Sequence, residues 1–194
     1  MVSRACNVAR GSAWRLLGRQ PVVLWLTGLS AAGKSTIARA TQCSLDALGY
    51  QCVVLDGDEL RQGLCKGLGF SEQDRSENIR RVAEVARLFS ANGTIVITAL
   101  ITPLHQHRQL ARQVIGEAAF VEVYVDTPLS VAEARDPKGL YKLARAGQLQ
   151  GFTGIDAAFE APTNPHLRLR TTRSTCEQSV HALLGFLNIR GVVL

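Results

Sequence analysis

A chain of 194 residues, 46% hydrophobic and 20% charged, is long enough for one domain with a full core and has an ordinary globular make-up. No apolar run approaches the ~20 residues that cross a bilayer, which excludes a membrane-spanning helix. The net charge of +6 comes with 6% aromatic residues and no Lys/Arg cluster interleaved with aromatics, so a small anionic ligand fits better than nucleic acid.

The first 20 residues carry Arg4, Arg10, Arg15 and Arg19 and no acidic residue. A transit peptide has that look, but the segment is short and poor in Ser, and it reads as a basic arm. The apolar run Val22 to Leu26 is a buried-type strand. It leads directly into Gly28-Leu29-Ser30-Ala31-Ala32-Gly33-Lys34-Ser35-Thr36, a complete phosphate-binding loop. Gly28 and Gly33 permit backbone angles that let successive N–H groups point at a phosphate. The helix that follows, Ile37 to Leu48, adds its positive dipole end. Lys34 supplies a point charge, and the Ser35 hydroxyl suits a Mg²⁺ shell. A strand before and a helix after give the motif its required context: the chain binds a nucleoside triphosphate.

Gln51 to Leu55 reads as a second strand ending in Asp56-Gly57-Asp58. Residues 59–75 read as irregular, with one helical turn. Ser76 to Asn92 is an amphipathic helix with Ser76 as its cap and an inward stripe of Ile79, Val82, Ala83, Ala86 and Phe89. Thr94 to Leu100 is a strand that Thr102-Pro103 ends, before a helix over 105–116. Phe120 to Val125 is a strand, Leu129 to Arg135 a short helix. Residues 136–154, with Lys138, Lys142 and Arg145 among glycines, read as a mobile basic flap rather than core. Leu167 to Thr171 is the last strand, and Ser174 to Leu187 closes the chain. There is no internal repeat or linker.

Strands alternating with helices predict an α/β fold: a parallel sheet of about five strands, helices on both faces, and ligand at the strands' carboxyl edge. The loops on that edge are 28–35, 56–61, 101–105 and 126–128. Asp56 and Asp58 stand two apart there. One suits Mg²⁺ or its waters and the other an attacking hydroxyl, with Asp58 the better candidate; an Asp-Gly turn is the plainer alternative. Arg61, Arg75, Arg80 and Lys138 are candidates to clamp a second anion, with Arg61 set apart by its place after the Asp pair. Arg87, Arg112 and Arg190 read as solvated. Phe70 and Phe152 lie in Gly-rich loops and either pack locally or stack on a base. His105, His107, His166 and His181 show no metal spacing, and His105 and His107 read as surface residues. Five cysteines (6, 43, 52, 65, 176), odd in number and without a C-x-x-C pair, argue against zinc and disulfides and for reduced thiols in the cytoplasm. An Asn-Lys-x-Asp guanine-reading motif is missing, and a helicase or motor needs more chain. A small-molecule kinase is what fits.

From about residue 13 to 188 the chain resembles the adenylyl-sulfate kinase family. The resemblance rests on Gly-Leu-Ser-Ala-Ala-Gly-Lys-Ser-Thr (28–36), Leu-Asp-Gly-Asp (55–58), Leu-Gly-Phe-Ser (68–71), Asp-Arg-Ser-Glu-Asn-Ile-Arg-Arg (74–81), Asp-Pro-Lys-Gly-Leu-Tyr (136–141) and Gly-Phe-Thr-Gly-Ile-Asp (151–156). It implies a P-loop kinase fold that uses ATP and Mg²⁺ to phosphorylate the 3′-hydroxyl of adenylyl sulfate. By similarity, residues 28–36 and Arg135 hold ATP, and Ser35 and Asp58 serve the metal. Lys34, Asp56 and Asp58 serve the chemistry. Arg61, Arg75 and Asn78 contact the substrate's phosphosulfate and ribose. Phe70 and Phe152 sandwich its adenine, with Ile101, Thr102, Lys138 and Leu140 nearby, and residues 136–154 form a lid. The resemblance also leaves room for a homodimer and for a sulfate adenylyltransferase partner, neither of which a heptad or patch specifies.

The chain departs from the family pattern in three places. Ala31 replaces a frequent Gly. Glu59 stands where Asn is usual and is expected to weaken anion binding. Thr102-Pro103-Leu104-His105 replaces Ser-Pro-Tyr-Arg, exchanging a fixed cation for His105. These departures motivate one rival, a related kinase with a shifted acceptor. A non-catalytic nucleotide-binding regulatory subunit is the other, and intact Lys34, Ser35 and Asp58 argue against it.

Overall fold

The computed structural model describes residues 20–194, so the basic arm before Gln20, including Cys6, lies outside the described residues. Among the described residues, five parallel strands form one sheet in the order β2-β3-β1-β4-β5: β1 Val23–Thr27, β2 Cys52–Asp56, β3 Ile95–Ala99, β4 Phe120–Asp126 and β5 Leu167–Arg170. The helices of the same residues are α1 Lys34–Ala47, α2 Gly57–Gln62, α3 Glu72–Ala91, α4 His105–Ile115, α5 Leu129–Arg135, α6 Leu140–Arg145 and α7 Cys176–Ile189.

The central strand β1 is buried along its whole length and alternates sides with period two. Leu24 and Leu26 pack with Ile37, Ala38 and Leu45 of α1 and Leu183 and Leu187 of α7. Val23 and Trp25 pack on the other face with Ile79, Val82 and Ala86 of α3 and Ala111 and Ile115 of α4. The strand order reverses at β1, between β3 and β4. The crevice beyond a parallel sheet's carboxyl edge opens at such a reversal, and the phosphate-binding loop leaves the sheet there.

Three elements differ from the sequence expectation. Residues 57–62 form a short helix capped by Asp56, whose Oδ1 accepts the Asp58 amide at 2.9 Å. Helix α3 starts at Glu72, ahead of the expected Ser76. Ser71 caps it, accepting the Asp74 amide at 3.1 Å and donating to the Asp74 carboxylate at 2.7 Å. The acidic Glu72 and Asp74 that make the segment look irregular sit where a helix dipole favours them. Residues 136–154 are also more than a flap. They contain α6, and Tyr141, Ala144 and Phe152 form a third apolar cluster with Leu29 and Ala132. No helix among the described residues is long and apolar enough to cross a membrane.

Candidate active site

A cleft of about 820 Å³ opens at the carboxyl edge of the sheet. Its donor half is built largely from backbone. Gly28 packs so closely that a β-carbon there would meet the Val125 carbonyl at 2.6 Å, and its φ of 151° lies outside the range of side-chain-bearing residues. Gly33 begins α1 at φ 101°, and the first intrahelical bond is Ile37 N–H to Gly33 O at 3.0 Å. The Lys34, Ser35 and Thr36 amides precede that bond and have no partner within the helix, and these residues line the cleft. Lys34, only 8% exposed, folds back to donate to the carbonyls of Gly28 (2.9 Å) and Leu29 (2.6 Å). Burial first, and the Lys138 ammonium second, push its pKa down to about 7, against the pull of Asp56 and Asp58. A buried cation with its pKa lowered in this way marks a place prepared for anionic charge.

Residues 30–36 and Arg135 all line the cleft. Gly28 and Leu29 stand behind it, and Leu29 anchors the third cluster. Arg135 Nη1 reaches the carbonyls of Ala31 and Ala32 (3.4 Å each), and Nη2 reaches Thr171 O at 3.2 Å. Ala31 holds φ 57°, a left-handed conformation that explains why glycine is frequent at this position.

The other half, around Asp58, Arg61, Arg75 and Asn78, is built from side chains. Asp56 is 4% exposed and fixed as a helix cap, while Asp58 projects from the next turn into the cleft. The Lys138 ammonium, from the segment above, closes onto the Asp58 carboxylate. Arg61 donates to the carbonyls of Leu68 (3.0 Å) and Gly69 (3.2 Å) and lies 4.4 Å from the Phe70 ring centroid. Arg75 donates to Phe70 O (3.0 Å), Gly151 O (2.7 Å) and Thr153 Oγ1 (3.3 Å), tying α3 to the lid segment. Burial first, and the nearby Arg61 charge second, lower the Arg75 pKa against the pull of the Asp156 carboxylate, and both guanidiniums line the cleft. Asn78 is 6% exposed, and its Oδ1 has no partner among the described residues. Phe70, 57% exposed, and the buried Phe152 both line the cleft, and the Phe152 ring meets Tyr141 edge-on at 4.9 Å. Ile101, Thr102 and Leu140 complete this half.

The structure separates several candidates from this site. Arg80 lies outside the cleft and pairs with Glu77 at 2.7 Å. Glu59 is also outside the cleft and forms an exposed pair with Arg39 at 2.5 Å. His105 is an exposed residue of α4 bonded to Gln109 and does not line the cleft. His107 is buried, contrary to its surface reading: it shares one helix face with Ala111 and Ile115, and neither ring nitrogen has a partner among the described residues. Burial lowers its pKa. Arg112 is ion-paired to Glu117 at 2.7 Å rather than merely solvated. Cys43, Cys52, Cys65 and Cys176 are free thiols.

Sequence reasoning missed Thr171, Ser174, Cys176 and Ser179, which line the donor half. They follow β5, and the carboxyl-edge rule that selects the other loops also selects this one. Among the described residues, no group of three or more His, Cys, Asp or Glu is arranged to hold a metal alone. One hydroxyl (Ser35) and the Asp58 carboxylate are hard oxygen donors that fit a Mg²⁺ whose other ligands are phosphate and water.

The family model of adenylylsulphate kinase matches residues 20–170. The adenylyl-sulfate kinase of Vibrio cholerae is 53% identical over 175 residues, covering 90% of this chain and 81% of that protein. That of Marinobacter nauticus is 49% identical, covering 90% and 88%. A structure of the Mycobacterium tuberculosis APS kinase in complex with AMPPNP and APS is similar with a TM-score of 0.85 at 44% identity, covering 88% of this chain and 99% of that one. A hexameric APS kinase from Thiobacillus denitrificans gives 0.69 at 33% identity, covering 91% of this chain and 30% of that one.

Proposed function

This chain belongs to the adenylylsulphate kinase family and transfers the γ-phosphoryl group of ATP to the 3′-hydroxyl of adenylyl sulfate with Mg²⁺ as cofactor; from that premise we propose which of its residues do the work. The observation that supports the assignment is that Asp58, the phosphate-binding loop, Arg61 and Arg75 all line one cleft.

The loop amides and Lys34 take the β- and γ-phosphates of ATP, with Arg135 and the loop after β5 around its nucleoside. Arg61 and Arg75 take the phosphosulfate. Phe70 and Phe152 stack on the acceptor's adenine, and the orphaned Asn78 oxygen accepts from its ribose. Asp58 orients the 3′-hydroxyl and accepts its proton as the O–P bond forms and the bridging bond to ADP breaks. Transfer of this kind depends on positioning and on fixed charge, which Lys34 supplies. Asp56 holds Asp58 through its amide. Ser35 and Asp58 would hold Mg²⁺, which when bound neutralises phosphate charge.

Residues 136–154 act as the lid, which excludes water when it closes. Lys138 of this segment pairs with Asp58, and a substrate anion would compete for that ammonium. The reading carries a cytoplasmic location, where ATP and reduced thiols coexist. It also carries self-assembly, and a sulfate adenylyltransferase as the source of the acceptor. The test is a screen of phosphate acceptors with purified protein and MgATP. ADP is expected with adenylyl sulfate; none with adenylyl sulfate but a robust signal with another acceptor would overturn the assignment.

A further inference from the structure

Behind the acceptor half lies a charge cluster that the chemistry above does not use: a buried pair, Arg108 and Glu122, with the half-buried Arg112 Nη2 3.6 Å from the second Glu122 carboxylate oxygen. Arg108 of α4 and Glu122 of β4 are 4% and 10% exposed as side chains, with Nε and Oε1 2.8 Å apart. This contact balances the charges but lies off the hydrogen-bonding direction of Nε. The directional bonds run to the cleft wall: Nη1 donates to the carbonyls of Thr102 and Pro103, at 3.2 Å each.

That wall is held in an unfavourable conformation. Thr102 has φ 44°, which a β-branched residue avoids. Such strain persists only where the surroundings over-determine it, and it gathers at functional sites. Trp25 Nε1 also grips this residue, donating to Thr102 Oγ1 at 3.0 Å, and Thr27 Oγ1 holds the residue before it, donating to Ile101 O at 2.7 Å. The Pro103 carbonyl accepts a second bond, from Glu160 N–H at 2.9 Å, and the Glu160 carboxylate accepts His105 N–H at 2.6 Å. Glu160 lies on the chain leaving the lid. One carbonyl therefore joins the acceptor wall, the lid's anchor and the buried pair. Stability alone is a weak reason for such a pair, because apolar residues of similar volume usually serve as well.

We propose that Arg108, held by Glu122, is a positioning residue for the acceptor: it fixes the Thr102–Pro103 wall, and through Pro103 the Glu160 anchor of the lid, in the geometry that seats adenylyl sulfate. The inference rests on assigning that half of the cleft to the acceptor. Among the described residues Arg108 bonds to none of residues 28–36, and the wall meets that loop one residue earlier, where Gly28 N–H donates to Ile101 O at 3.3 Å, so the loss of Arg108 is expected to act mainly on the acceptor.

The test is initial-rate kinetics of the full chain, varying each substrate at saturating levels of the other. Arg108→Lys keeps a charge opposite Glu122, but an ammonium lacks the fork that spans an ion pair and two carbonyls. The KM for adenylyl sulfate is expected to rise about tenfold while that for MgATP stays within about twofold. Glu122→Gln, nearly isosteric, is expected to move the same KM in the same direction by a smaller factor, and it stands as the test if Arg108→Lys does not fold. Equal movement of both KM values, or a lowered melting temperature with neither KM changed, overturns the proposal. An inactive wild-type protein would instead strike the acceptor assignment itself.

Discussion

The two halves of the cleft prepare for anions by different means. The donor half relies on backbone: the loop from Gly28 to Lys34 closes on itself, Lys34 folds back onto the loop's own carbonyls, and a helix begins at its end. The acceptor half relies on long side chains drawn from separate segments. Arg75 alone connects α3 to Gly151 and Thr153, more than seventy residues away along the chain. A site made of backbone tolerates change in its neighbours. A site made of guanidiniums depends on the carbonyls that aim them, and so on the order of the lid.

Substitution separates the halves most sharply. Lys34→Ala should lower kcat/KM by about 10²–10³-fold, roughly 3–4 kcal/mol of lost charge stabilisation, and leave adenylyl sulfate affinity near wild type by calorimetry. Arg75→Ala should act on the opposite half. It removes bonds from a charged donor worth about 1.5–3 kcal/mol, so adenylyl sulfate affinity should fall about 10- to 100-fold with MgATP affinity retained. If each substitution weakened both ligands equally, the division between halves would fail.

The pH dependence gives a smaller effect of fixed sign. Lys34 titrates near 7 in the free protein because burial opposes its charge. Bound polyphosphate favours the charged form and raises that pKa. Above pH 7 the complex therefore holds more protons than the free protein, so MgATP binding takes up protons and weakens as pH rises. Calorimetry at pH 8 in buffers of different ionisation enthalpy should report this uptake, and Lys34→Met should abolish it. The smallest effect is at Ala31. Ala31→Gly relieves a left-handed residue costing about 1–2 kcal/mol but adds about 0.5–1 kcal/mol of unfolded-chain entropy. A rise in Tm of about 1–4 °C is expected, with MgATP affinity little changed.

The same contrast decides how much of the molecule is legible in its amino-acid sequence. The donor loop is written in consecutive residues, so Gly28, Gly33 and Lys34 declare it together with the strand and helix around it. The strand edges and the order of elements follow from apolar runs, which a parallel sheet buried on both faces requires. The acceptor half declares itself only as scattered Arg and Phe residues, and their convergence comes from family resemblance rather than spacing. Arg80 and Arg75 look alike in the chain; only the turn of α3 sends one into the cleft and the other to Glu77. His107 is legible from its spacing to Ala111 and Ile115, but its nearness to His105 makes the two look like a surface pair. Arg108 and Glu122 are not legible, since nothing local says that a helix arginine will meet a strand glutamate beneath a strained turn.

The two halves meet at Asp58. The most direct measurement is Asp58→Asn, with binding and turnover taken on the same preparation. The account predicts that metal-free ATP and adenylyl sulfate bind within about threefold of wild type while kcat with Mg²⁺ falls by about 10²–10⁴-fold, the range for loss of a positioned proton acceptor. Near-normal turnover with both ligands bound would contradict the placement of the reaction between the halves.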